Sequence, residues 1–172
     1  MKYCLVFIFY FVGFSVQAST LEMSIALGNS LTEAVSSKSY IKMKALDNYR
    51  EVRAFLKDNK CSGFKYRAYT IEDKNKFYLI ASKGKGMVIG RHFVGDISDN
   101  TVDIDSLVSS TNGCINLGAP KKDSAAMFVT HLKSEPNEFH LLESNLAKVA
   151  LFVSSKGGLF SVSDGSISKI KD

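Results

Sequence analysis

The sequence predicts a single α+β domain, with N-terminal helices packed on an antiparallel sheet and one or two short helices inserted before the C-terminal strands. Three observations carry that expectation. Apolar residues recur every three or four positions up to residue 59, and after Cys61 they recur every second position. Near the C-terminus a helical spacing returns and is followed by further alternating segments. Helices, then strands, then helices, then strands in one unit is the order of an α+β fold. The chain shows no internal repeat, low-complexity tract or linker, and its 172 residues suit one domain.

The chain opens MKYCLVFIFYFVGFSVQAST. Lys2, an apolar run to Val16 and small residues at Val16 and Ala18 describe a secretory signal cut after Ala18. The run is about 14 residues, short of the roughly 20 that span a bilayer. Residues 1–18 are therefore expected to be removed, leaving 19–172 as the mature domain. Cys4 lies at the front of the apolar run rather than at the cut, so no lipid anchor and no membrane insertion after processing are expected. Loss of Lys2 lowers the formal charge from +5 to +4. Both signs are mixed, which gives no footprint for nucleic acid.

TLEMSIALGNSLTEAV sets Met23, Leu27, Leu31 and Ala34 on one helical face, with Gly28 weakening the interior. SSKS at 36–39 reads as a break. YIKMKALDNYREVRAFLKDN sets Ile41, Ala45, Tyr49, Val52 and Leu56 on one stripe of a second helix. Its lysines and arginines, interrupted by acids, read as a solvated face. FKYRAYTI and FYLIAS around the polar EDKNK form a strand pair, and MVIGRHFVGD a third strand. Gly90 in that strand signals a bulge or close packing against another element. TVDIDSLVSS offers a fourth strand. Ser124 caps a short helix through Leu132, Pro136 interrupts, and Asn137 caps another helix carrying Phe139, Leu142 and Leu146 on one side. VALFV is a buried strand, and a hairpin around Asp164-Gly165 closes the chain.

Only Cys61 and Cys114 remain after processing, and an oxidising compartment favours their pairing. The competing chemistries lack a pattern: no CxxC or HxxxH spacing supplies zinc ligands, and none of His92, His131 and His140 sits in a nucleophile motif. The bond is expected to pin the end of the helical region to a later strand, with Asn112-Gly113 turning the chain just before Cys114.

A catalytic signature is missing elsewhere too. KGKG at 83–86 has neither the spacing nor the context of a phosphate loop. His92 and Asp96, four apart on a strand, would stand roughly 13 Å from each other. DISDNTVDID carries Asp103 and Asp105 on one side but no calcium-loop pattern. His131 and His140 read as helix-surface residues. The chain has no Trp for a nucleic-acid stacking platform. No cofactor is expected.

The leading expectation is an exported, periplasmic or secreted, non-enzymatic binding protein with the profile of an inhibitor or immunity-type protein. Its partner would be a protein, such as an enzyme with an acidic cleft, met by Lys83, Lys85, Arg91 and His92. The alternatives are a small-ligand or envelope-structural module, oligomeric through an unpaired sheet edge, and a secreted hydrolase whose residues converge only in the fold.

Overall fold

The computed structural model describes residues 20–171. The signal segment expected at 1–18 lies outside the described residues. Helix α1 spans Thr20–Ser36 and buries Leu27, Gly28 and Leu31, while Met23 is exposed. Its C-terminal turn ends at Lys38 in a left-handed conformation, with the Ser37 hydroxyl donating to the Glu33 carbonyl. The second helix is shorter than its stripe predicts. The Ile41 N–H donates to the Ala68 carbonyl, holding the chain extended, and only a 3-10 turn at Met43–Ala45 precedes α2, Tyr49–Asn59. Asn48 ahead of α2 clasps Val102 through two bonds, its Oδ1 accepting at 3.1 Å and its Nδ2 donating at 2.7 Å.

Strands β1 (Lys65–Ile71), β2 (Lys76–Ser82) and β4 (Phe93–Ser98) form the centre of the first sheet, with β3 (Met87–Val88) between β2 and β4 in the chain. β5 (Thr101–Val102) and β6 (Val108–Ser109) both pair antiparallel with β4. β3 pairs instead with β7, Asn116–Gly118. The second sheet has the order β11-β10-β9-β8, from β8 (Ala126–Thr130), β9 (Ala150–Ser155), β10 (Gly158–Ser163) and β11 (Ser166–Lys171). The hairpin at Asp164-Gly165 stands where expected, with both residues at positive φ.

Two strand features correct the sequence reading. The helix expected from Ser124 to Leu132 is the strand β8: Met127, Val129 and His131 turn inward while Ala126, Phe128 and Thr130 are exposed, a period of two. β8 also runs parallel to β9. A parallel pair needs a crossover, and α3, Glu138–Ala147, supplies it. The second sheet is thus mixed, antiparallel from β9 to β11. Among the described strands β8 pairs only with β9, so its outer edge is open.

Layers follow from which side each strand buries. Phe77 and Leu79 of β2 pack with Val52 and Leu56 of α2, while Tyr78 and Ile80 pack with Leu27 and Leu31 of α1 and Phe139 and Leu142 of α3. Burial on both faces explains why FYLIAS is a continuous apolar run. Leu141 of α3 faces the other way, onto Leu151, Val153, Phe160 and Val162 of the second sheet. The order is α2, first sheet, α1 with α3, second sheet. Helix α3 is central and buried on most sides from Phe139 to Ser144, with the polar His140, Glu143 and Ser144 among its buried residues.

Gly28 permits the α1–α3 crossing. A Cβ there would lie 2.9 Å from Leu141 Cβ and 3.1 Å from the Glu138 carbonyl oxygen. Gly28→Ala is expected to lower stability by about 1–3 kcal/mol despite the better helix propensity of alanine. The check is a lower urea midpoint with an unchanged slope.

Candidate functional site

The four residues proposed to meet a partner fall into two groups. Lys83 and Lys85 lie in the exposed turn joining β2 to β3, closed by a Lys83–Gly86 bridge with Gly84 at φ +61°. Lys83 Nζ stands 5.1 Å from the centroid of the Phe64 ring. Neither lysine has an ionic partner among the described residues.

Arg91 is committed to the fold. Its Nη1 donates to the Asn59 carbonyl at the end of α2 (2.7 Å), and its Nε to the Asn112 carbonyl (3.3 Å). The guanidinium thereby ties α2 to the loop that carries Cys114. Its backbone has φ 58°. His92 is a correction: it is fully buried and offers nothing to a partner. Its Nδ1 accepts from the Ala81 N–H at 3.1 Å and its Nε2–H donates to the Val88 carbonyl at 2.5 Å, so the ring stitches β2 to β3. It also stacks on Phe139, with centroids 5.0 Å apart.

Cys61 and Cys114 are bonded, with Cα atoms 5.7 Å apart. The bond joins the end of α2 to the loop before β7, as expected. Gly90 explains why the loop can lie so close. A Cβ at Gly90 would overlap the Gly113 carbonyl oxygen and stand 2.6 Å from the Ile115 nitrogen. Its sequence signal of close packing against another element is met by this loop.

A polar cluster lies beneath these residues. Glu143 of α3 accepts the Val88 N–H at 3.0 Å and has its other oxygen 3.9 Å from His92 Nε2. The distance suits an ion pair, but the charges do not form. Burial raises the Glu143 carboxyl to about 8 and lowers His92 to about 4, so both are neutral between those values. Glu143 is also at the wall of a groove of ≈ 400 Å³ bordered by Arg67, Lys85, Met87 and Leu146. Both His92 nitrogens are bound to backbone, so this ring is not a free base beside that carboxyl.

His131 and His140 are buried rather than on helix surfaces, and their rings meet edge-on at 4.6 Å. His140 Nδ1 serves Asn137 at the start of α3, 2.8 Å from its Oδ1 and 3.2 Å from its N–H. The Nε2 atoms of both histidines lack a hydrogen-bond partner among the described residues. No group of three or more His, Cys, Asp or Glu among the described residues could hold a metal. The acidic segment is used locally: Asp96 pairs with Lys76 at 2.5 Å, and Asp103 accepts the Asp105 N–H.

The sequence reading passed over one surface. Lys44, Arg50, Arg53, Lys57 and Lys60 are all exposed and line a groove of ≈ 1040 Å³ between the 3-10 turn and α2. None forms an ion pair among the described residues. The acids that interrupt them in sequence stand aside in space. At about 100° per residue, Arg50, Arg53, Lys57 and Lys60 fall within an arc of about 80°, and Glu51 and Asp58 lie on the flank beyond. Sorting the residues by helical angle rather than by neighbour was the signal available. The chain matches no family model, no curated protein and no solved structure.

Proposed function

We propose that the chain is an exported, non-enzymatic binding protein that engages an acidic macromolecular partner, as an inhibitor or immunity-type protein does. The observation that carries this is the separation of its charged groups. The buried polar groups His92 and Glu143 are bound to backbone and neutral, whereas the cations of the β2–β3 turn and those lining the α2 groove are exposed and form no ion pair among the described residues. Unpaired surface cations steer and orient an acidic partner without needing a chemical centre. The secretory features of residues 1–18 and the Cys61–Cys114 bond support export to the periplasm or beyond.

The test is affinity capture from an envelope extract with the disulfide-intact protein as bait. One stoichiometric acidic partner is expected, retained at low salt and released as salt screens the contact. Turnover of a substrate by the purified protein, or recovery with an N-terminus other than Ser19 from the cytoplasm, contradicts the proposal.

A further inference from the structure

We infer that the groove along α2 is the docking site for an acidic polypeptide segment carrying one apolar anchor residue. This rests on the binding function proposed above and assigns it to a surface. Arg50, Arg53 and Lys57 of α2 with Lys60 just after its last residue span about 15 Å at 1.5 Å per residue, and Lys44 extends the row from the 3-10 turn. No acid lines the groove, so the charged side chains of its wall are all cations. Its apolar lining is Met43, Tyr49 and Ala54, together with Leu56, which is otherwise buried in the core. Cations interspersed with apolar lining residues are complementary to carboxylates flanking an aliphatic or aromatic side chain. Such a segment, laid along α2, would place successive acids against successive turns.

Polypeptide is favoured over the other polyanions by what the groove lacks. Bases need exposed aromatic faces to stack on, and the one aromatic lining it, Tyr49, is partly covered. A helix that lies in a lipid interface inserts its apolar face, but Val52 and Leu56 of α2 are turned into the core. The large exposed hydrophobics Phe128 and Leu132 belong to β8 and the turn after it, beyond the first sheet and the α1–α3 layer from α2.

The experiment is fluorescence anisotropy of the disulfide-intact protein with a labelled oligoglutamate peptide containing one central leucine. An all-glutamate peptide, a heparin-type oligosaccharide and phosphatidylglycerol vesicles are the comparators. Variants are Arg53→Glu/Lys57→Glu on the groove and Lys83→Glu/Lys85→Glu on the turn. All four residues are exposed, so folding is preserved and is checked by circular dichroism. The leucine peptide is expected to bind more tightly than the all-glutamate one. Its affinity should fall about tenfold or more in the groove variant and little in the turn variant. Loss in the turn variant alone overturns the groove assignment and leaves the binding function standing. Tighter, groove-dependent binding of the oligosaccharide or the vesicles overturns the choice of polypeptide. Failure of every acidic probe to bind the native protein overturns both the assignment and the function.

Discussion

Replacing Cys61 and Cys114 with serine, or reducing the bond, is expected to lower the free energy of unfolding by about 4 kcal/mol. The cross-link spans 53 residues, and in the chain-entropy description the denatured state then gains the freedom of a loop of that size. Domains of this kind have roughly 5–15 kcal/mol in total, so the loss is a large fraction. It should be felt first at α2. That helix is held by Val52 and Leu56 against the first sheet, by Asn48 on Val102, and by the Arg91–Asn59 bond beside the disulfide. Cys114 is exposed and Cys61 buried. The measurement is urea unfolding with and without reductant. Equal midpoints would show that the link does not constrain the chain. The unreduced, denatured protein should take up no thiol reagent.

How much of this was legible depended on whether a residue's environment is local. The second strand FYLIAS, the Asp164-Gly165 hairpin, the Asn137 cap of α3 and the Cys61–Cys114 pairing are all marked by neighbouring residues or by elimination. β8 is not. Its Ala-rich start after Ser124 suits a short helix, and its strand state comes from β9, which lies beyond α3 in the chain. Tertiary pairing overrides propensity there. His92 is a partner-binding candidate by sequence for the same reason. What makes its burial tolerable is a backbone donor at Ala81 and a backbone acceptor at Val88, and the folded turn between them brings these together. The cationic groove was visible as composition but was read along the chain. Glu51 and Asp58 interrupt the cations in sequence and only the helical angle separates them.

The second large effect is on stability as a function of pH, and the two signs oppose each other. His92 has a folded value of about 4 and His140 of about 3, against 6.5 when unfolded, because burial disfavours their charged forms. His131 is lowered as well, by burial and by Lys133. Their preference for the neutral state is fully present above the unfolded value and is lost as pH falls below 6.5 toward the folded ones. For His92 alone the loss amounts to roughly 3 kcal/mol by the time pH drops below 4. Protonation there also turns Nδ1 into a donor facing the Ala81 N–H, so geometry and charge act together. Glu143 runs the other way. Burial raises it from 4.5 to about 8, so its contribution is complete below 4.5, declines as pH rises from 4.5 to 8 and is lost above 8. Stability should therefore peak near neutrality and fall on both sides. Glu143→Gln separates the two limbs, since an amide oxygen still accepts the Val88 N–H but cannot ionise. Melting temperatures of the variant and the native protein should coincide most closely below pH 4.5, separate as pH rises from 4.5 to 8 with the variant higher, and keep that separation above 8. Each kcal/mol is worth roughly 2–4 °C for a chain of this size. A constant difference between pH 4.5 and 8 would mean that Glu143 titrates in the folded protein as it does in water, which its place between Val88 and His92 does not allow.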